Sequence, residues 1–256
     1  MTLTGDVFDR WVLRPQQRRS AALRLLCVPW AGSGTAAYHG WASVLPDDVE
    51  VWMLRLPGRE SRRREPLLTD LATLASEAAA GIADRFDAPV GIFGHSSGGL
   101  IAFELARALR REHGVKPALL AISAQPAPHL PARYAPIFDL PTDRFLDSLD
   151  ERCHGVPEAL RRDPEMQEIY LPVMRADVAL EETYRYRPDE PLGCPIAAFG
   201  GQLDTESRES DLAAWREHTA AGFELTILPG DHFYFRSERE TMLGRLVEQL
   251  RGGHLG

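Results

Sequence analysis

Three cysteines, no long apolar run and no surplus of basic residues set the first limits on this chain of 256 residues. Cys27, Cys153 and Cys194 are odd in number and widely spaced, which fits neither a disulfide framework nor a zinc cluster; they are expected to be inert packing thiols in a reducing cytosol. No segment approaches the roughly 18 uninterrupted apolar residues of a membrane span, so a transmembrane protein is excluded. The first twenty residues carry acidic side chains and no apolar stretch behind a basic start, so no secretory signal is expected and the expected location is cytoplasmic. A formal net charge of -8 argues against a nucleic-acid partner, because phosphate binding needs a basic surface.

What is present is ordinary for a globular chain, with 44% hydrophobic and 26% charged residues, enough for one large core or two small ones. Six short apolar runs recur between Pro and Gly: "LRLLCVPW" (23–30), "VEVWMLRLPG" (49–58), "APVGIFGHS" (88–96), "PALLAISAQ" (117–125), "CPIAAFGG" (194–201) and "FELTILPG" (223–230). Most are continuous rather than alternating, which suits strands buried on both faces of a parallel sheet. Helix-period segments lie between them, notably 69–86, with Thr69 placed to cap, and 98–114, closing on Gly114; 237–253 reads as a last amphipathic helix. Alternating strand and helix predicts an α/β fold. Residues 126–193 break the alternation with helical patterns only, too long for a simple loop. The expected division is therefore a core of 1–125 and 194–256 carrying a helical lid at 126–193.

Within "VGIFGHSSGGL" (90–100) lies the pattern G-x-S-x-G. Alone it is weak, since chance supplies it in about one chain in ten of this length. Here it sits where a buried strand hands over to a helix, the setting that a nucleophile elbow requires. Gly94 and Gly98 then leave room where a Cβ would clash, and the helix N-terminus aims free N–H groups at the serine. Ser96 is the candidate nucleophile and the Ser97 backbone N–H a candidate oxyanion donor, a role indifferent to its side chain. The competing reading is a flexible or phosphate-cradling glycine loop, which the missing P-loop lysine disfavours.

A serine hydroxyl needs a base and an orienting acid, expected in the chain order Ser, Asp or Glu, His. Of eight histidines, His232 follows the last predicted strand and its turn Pro229-Gly230, where a loop can hang an imidazole over the elbow. His95 flanks the serine in the turn itself, and His39, His113, His129, His154, His218 and His254 are expected to be solvated or packing residues. Asp204, four residues past the "PIAAFG" strand, is the candidate acid; Asp231 is its rival, and a capping aspartate the competing reading. The second oxyanion N–H is expected from "PWAGSG" (29–34), with Ala31 named and Trp30 or Gly32 as one-residue shifts.

The segments "CVPWAGSG", "RLPGRE", "GHSSGG", "CPIAAFGGQLD", "WREHT" and "LPGDHFYF" together resemble the type II thioesterases that accompany polyketide and nonribosomal peptide synthases, over almost the whole chain. The resemblance implies an α/β-hydrolase with a helical lid and puts nucleophile, acid and base on Ser96, Asp204 and His232. It also implies hydrolysis of acyl thioesters from the phosphopantetheine arm of acyl or peptidyl carrier proteins, an editing activity that clears stalled acyl groups. No bound cofactor or metal is required by such chemistry, and nothing requires more than a monomer. Two departures stand out: Ser97-Gly98-Gly99 where many relatives have Met-Gly-Ala, and "AGSG" for the commoner "AGGS".

Phe138, Phe145, Leu149, Met166, Tyr170 and Met174 are candidate walls of an acyl pocket under the lid, or plain packing. The loop "GRESRRREP" (58–66) is a solvated basic loop or a contact for an acidic carrier protein. A small-molecule carboxylesterase or acyltransferase with the same triad, and a noncatalytic binding protein on a hydrolase fold, are the alternatives.

Overall fold

The computed structural model describes residues 6–153 and 156–252; His154 and His254 lie outside the described residues, as does the Cys153 side chain. Its strands are β1 (Val12–Leu13), β2 (Leu23–Val28), β3 (Val49–Leu54), β4 (Val90–His95), β5 (Leu119–Ser123), β6 (Ile196–Gly201) and β7 (Phe223–Leu228). They form one sheet in the order β1-β3-β2-β4-β5-β6-β7. Every pairing is parallel except β1 with β3. The six apolar runs are thus the six parallel strands, while β1, two residues long at an edge, left no readable signal.

The helices are α1 (Val7–Trp11), α2 (Trp41–Val44), α3 (Leu71–Ile82), α4 (Ser97–His113), α5 (Thr142–Cys153), α6 (Glu158–Arg162), α7 (Pro164–Glu182), α8 (Glu209–Ala213) and α9 (Arg239–Gly252). The sequence expectation for the cap of α3 is corrected by one residue: Asp70, not Thr69, accepts the Thr73 N–H at 2.8 Å. An aspartate in extended conformation reaches that amide and satisfies an otherwise orphan donor. α4 ends at Gly114 with φ +66°, a left-handed position that costs glycine little.

Apolar side chains cover both faces of the sheet, as parallel strands demand. One layer joins Leu26, Ile92, Leu120 and Ile196 to α3 and α4; the other joins Leu25, Phe93, Ala121 and Phe199 to Trp41, Tyr38 and α9. Burying each such Leu or Phe contributes about 1.5–3 kcal/mol. The segment between β5 and β6 builds α5, α6 and α7, which share a small core of Ile137, Phe145, Leu146, Leu160 and Val178. Ala31 and Met174 pack against that core, so the insert rests on the loop that leaves β2.

Candidate active site

Ser96 caps α4 at the C-terminal end of β4, with φ +51° and ψ -134°. Such a conformation costs a non-glycine residue about 1–3 kcal/mol and persists only where its surroundings enforce it. Here the Ser96 N–H donates to Ser123 O at 2.8 Å and Ser96 O accepts from Gly99 N–H at 2.7 Å. The glycines are required by contact: a Cβ on Gly94 would lie 2.1 Å from Gly98 O, and one on Gly98 2.5 Å from Val28 O. Strand, helix and the end of β2 meet with no space between their backbones, and the hydroxyl-bearing residue is pushed into the open.

Asp204 and His232 come from the loops after β6 and β7. His232 Nδ1 stands 3.0 Å from Asp204 Oδ2, with both residues buried. The carboxylate also accepts from Ser207 Oγ at 2.6 Å and from the Glu206 N–H at 2.9 Å. Burial pushes the Asp204 carboxyl up, but the bonds and charge supplied by His232, with those from Ser207 and Glu206, outweigh it and hold the group below its ordinary range. The close approach of the Gly230–Asp231 turn is made possible by Gly201, where a Cβ would lie 2.1 Å from Asp231 O. Asp231 itself is exposed and accepts the Phe233 N–H at 2.8 Å, so its carboxylate serves the turn.

Ser96 and His232 line one cavity of about 750 Å³ with Trp30, Ala31 and Gln125. Among the described residues no hydrogen bond joins Ser96 to His232; catalytic hydrogen bonds of this kind often tighten only in the substrate complex. The insert contributes Leu149, Met174, Val178 and Glu181 to the wall. Of the six insert residues expected to line it, only Leu149 and Met174 do. Phe145 is wholly buried inside the insert, Phe138 and Met166 pack against the same core, and Tyr170 is exposed. The wall is not purely apolar: burial pushes the carboxyls of Glu181 and Glu206 above their ordinary values, and Gln125 Nε2 donates to Glu181 at 3.1 Å.

The remaining titratable candidates have structural settings. His95 is fully buried, its Nδ1 2.9 Å from Ser123 Oγ, and burial, with His232 nearby, drives its pKa well down. His129 and His218 bond to each other at 2.8 Å, and burial lowers His218 to about 4. His39 and His113 are exposed. Burial pushes the Cys27 thiol far up and that of Cys194 to about 11, as inert packing thiols require. No group of three or more His, Cys, Asp or Glu is placed to hold a metal among the described residues. None of their helices is long and apolar enough to cross a membrane.

Two features escaped the sequence. The Ala31 N–H donates to Ser97 Oγ at 2.7 Å, so the Ser97 side chain does take part in holding the loop after β2. In the basic loop, Arg59 and Arg62 are buried rather than solvated: Arg59 pairs with Asp177, and Arg62 with Glu65 while stacking on Trp11. Only Arg63 and Arg64 of its arginine run are exposed.

Comparisons agree with this architecture. Residues 23–250 match the family described as Thioesterase domain. The gramicidin S biosynthesis protein GrsT of Aneurinibacillus migulanus is 38% identical over 251 residues, covering 98% of this chain and 97% of its own. Thioesterase PikA5 of Streptomyces venezuelae is 34% identical over 249 residues, covering 94% and 85%. The solved type II thioesterase BorB from the borrelidin biosynthetic cluster superposes with a TM-score of 0.83 at 34% identity, over 96% of this chain and 97% of that one.

Proposed function

This chain belongs to the thioesterase domain family and is an α/β-hydrolase acting on thioesters; from that premise we propose that Ser96, His232 and Asp204 cleave acyl groups from the phosphopantetheine arms of carrier proteins. The groups removed are stalled or aberrant units of polyketide or nonribosomal peptide synthesis; the relatives' names carry gramicidin S biosynthesis and the borrelidin biosynthetic cluster. One observation supports the assignment above the rest: a buried His232–Asp204 pair and a strained Ser96 open onto the same cavity.

An Nδ1–H donated to Asp204 leaves Nε2 of His232 as the lone-pair nitrogen facing the serine. Nε2 removes the Ser96 proton as Oγ attacks the thioester carbonyl, and the carbonyl π pair moves onto oxygen. The Ser97 and Ala31 N–H groups hold that oxyanion. On collapse the C–S bond breaks, His232 gives its proton to the departing pantetheine sulfur, and the acyl group stays on Ser96. Water then repeats the sequence, with His232 taking its proton and returning it to Ser96 Oγ as the free acid leaves. α5 to α7 act as a lid over the acyl chain, with Leu149, Met174 and Val178 against it. The carrier protein stays outside the cavity; of the arginines in the 58–66 loop, only Arg63 and Arg64 are exposed to meet it.

The deciding experiment is deacylation of a panel of acyl-loaded carrier proteins beside the corresponding free esters. Faster release from carriers supports the reading. Turnover of free esters alone would replace it with a small-molecule esterase.

A further inference from the structure

α7 turns Met174, Val178 and Glu181 to the cavity, but Asp177 is absent from that wall. Its carboxylate points to the loop after β2. Oδ2 accepts the Gly32 N–H at 2.8 Å, and Arg59 closes a two-pronged pair on it, with Nη1 to Oδ2 and Nη2 to Oδ1 both at 2.6 Å. Arg59 Nη1 also donates to Ser33 O at 2.9 Å, and the pair's side chains are 8% and 2% exposed. The contact is close at the backbone too. Gly32 has φ +73°, and a Cβ there would lie 2.5 Å from Met174 Cγ.

A buried ion pair is a poor source of stability, since an apolar pair of similar volume often does as well. This one also leaves Arg59 Nε buried with no acceptor among the described residues. What an apolar pair lacks is an acceptor for the Gly32 amide. That amide belongs to the peptide plane on the C-terminal side of Ala31, while Ser97 Oγ holds the plane on its N-terminal side through the Ala31 N–H. Ala31 is therefore pinned from the elbow on one side and from the insert on the other.

We propose that Asp177 is a positioning residue for the reaction, fixing from α7 the Gly32 side of Ala31 and with it the backbone from which the Ala31 N–H turns from Ser97 Oγ to the oxyanion. The inference rests on the oxyanion role given to Ala31 above. Its consequence is a specificity device: Met174 and Val178 touch the acyl chain from the same helix that holds the oxyanion loop. An acyl group that displaces α7 also turns the donor, so misfit is read in kcat rather than in KM.

The test is the double variant Arg59→Met with Asp177→Leu, followed by Tm, by kcat and KM on p-nitrophenyl acetate and on a carrier-bound thioester, and by the affinity of a trifluoromethyl ketone that adds to Ser96 as an oxyanion. The expected result is a Tm within about 5 °C of the unmutated protein, because the apolar pair replaces the ionic one at little cost. kcat falls between about tenfold and a hundredfold on both substrates while KM moves less than about threefold, as misplacement of a catalytic group predicts. Ketone affinity falls by the same factor as kcat, which a merely structural role would not produce. A folded double variant with kcat within about twofold of normal overturns the inference. If that variant does not fold, amide hydrogen exchange on the unmutated protein decides: slow exchange at Gly32 supports the clamp, and exchange at the free-peptide rate overturns it. An unmutated protein inactive on carrier thioesters would sink the proposed substrate, yet the ester and ketone readouts would still judge Asp177.

Discussion

The Ala31 N–H is bonded to Ser97 Oγ, 66 residues away, at 2.7 Å. To bind an oxyanion it must leave that hydroxyl, a neutral acceptor worth about 1 kcal/mol, for a charged one that binds more strongly. Ser97→Ala frees the donor in advance, and the expected result is a kcat raised by about threefold to fivefold with KM nearly unchanged. Single-turnover acylation rates on an N-acetylcysteamine thioester measure it. A slower variant would mean that the hydroxyl supports the oxyanion instead of competing for its donor.

Asp204→Asn tests the other side of the site. The amide is nearly isosteric with the carboxylate but can offer its NH2 to His232 Nδ1, which puts the ring proton on Nε2 and removes the base. kcat is expected to fall by about 10²- to 10⁴-fold with little change in KM. A fluorophosphonate probe should label the unmutated protein and not Ser96→Ala. Labelling that survives in Ser96→Ala would remove Ser96 from the role of nucleophile.

The same carboxylate gives the fold an acid limit. Hydrogen bonds hold Asp204 below its ordinary range despite burial, so in acid the unfolded chain binds the proton that the folded chain refuses. Its contribution is complete above the unfolded value and disappears as pH falls through the folded one. The Tm advantage of the unmutated protein over Asp204→Asn should therefore shrink below roughly pH 4. An advantage that grows in acid would contradict the depressed value.

Sequence periodicity revealed what is local. Each parallel strand is buried on both faces and so reads as a continuous apolar run, and Gly94 is forced by the backbone of Gly98 four residues on, although Gly98 itself is forced by Val28 O on β2. Pairings between distant segments left no such trace. Arg59 and Asp177 stand 118 residues apart, and a run of arginines looks equally solvated whether or not two of them are buried. The Ser97 departure was visible, but the destination of its hydroxyl depends on how β2 and α4 pack. The cavity wall was misread at four of the six residues named for it, for a similar reason: Phe145 and Val178 carry the same apolar signal and share the insert's small core, and only the packing decides that Val178 also borders the cavity.

Val178 is accordingly the place to alter acyl preference without touching the triad. It borders the cavity and is 7% exposed, on the helix that packs against Ala31 through Met174. Val178→Phe adds roughly 50 Å³ of side chain, and overfilling a packed site costs about 1–3 kcal/mol unless the excess enters open space. Here the open space is the cavity beside Ser96, so under the proposed function the ring occupies volume that a long acyl chain needs. Short acyl groups such as acetyl should be released at close to the normal rate, while octanoyl and longer groups lose roughly tenfold or more in kcat/KM, the size of effect that a few methylenes in an apolar pocket produce. Competition between acetyl- and octanoyl-loaded carrier protein in one reaction measures the ratio directly. An equal loss for both chains would show that the cavity under α7 does not hold the acyl group.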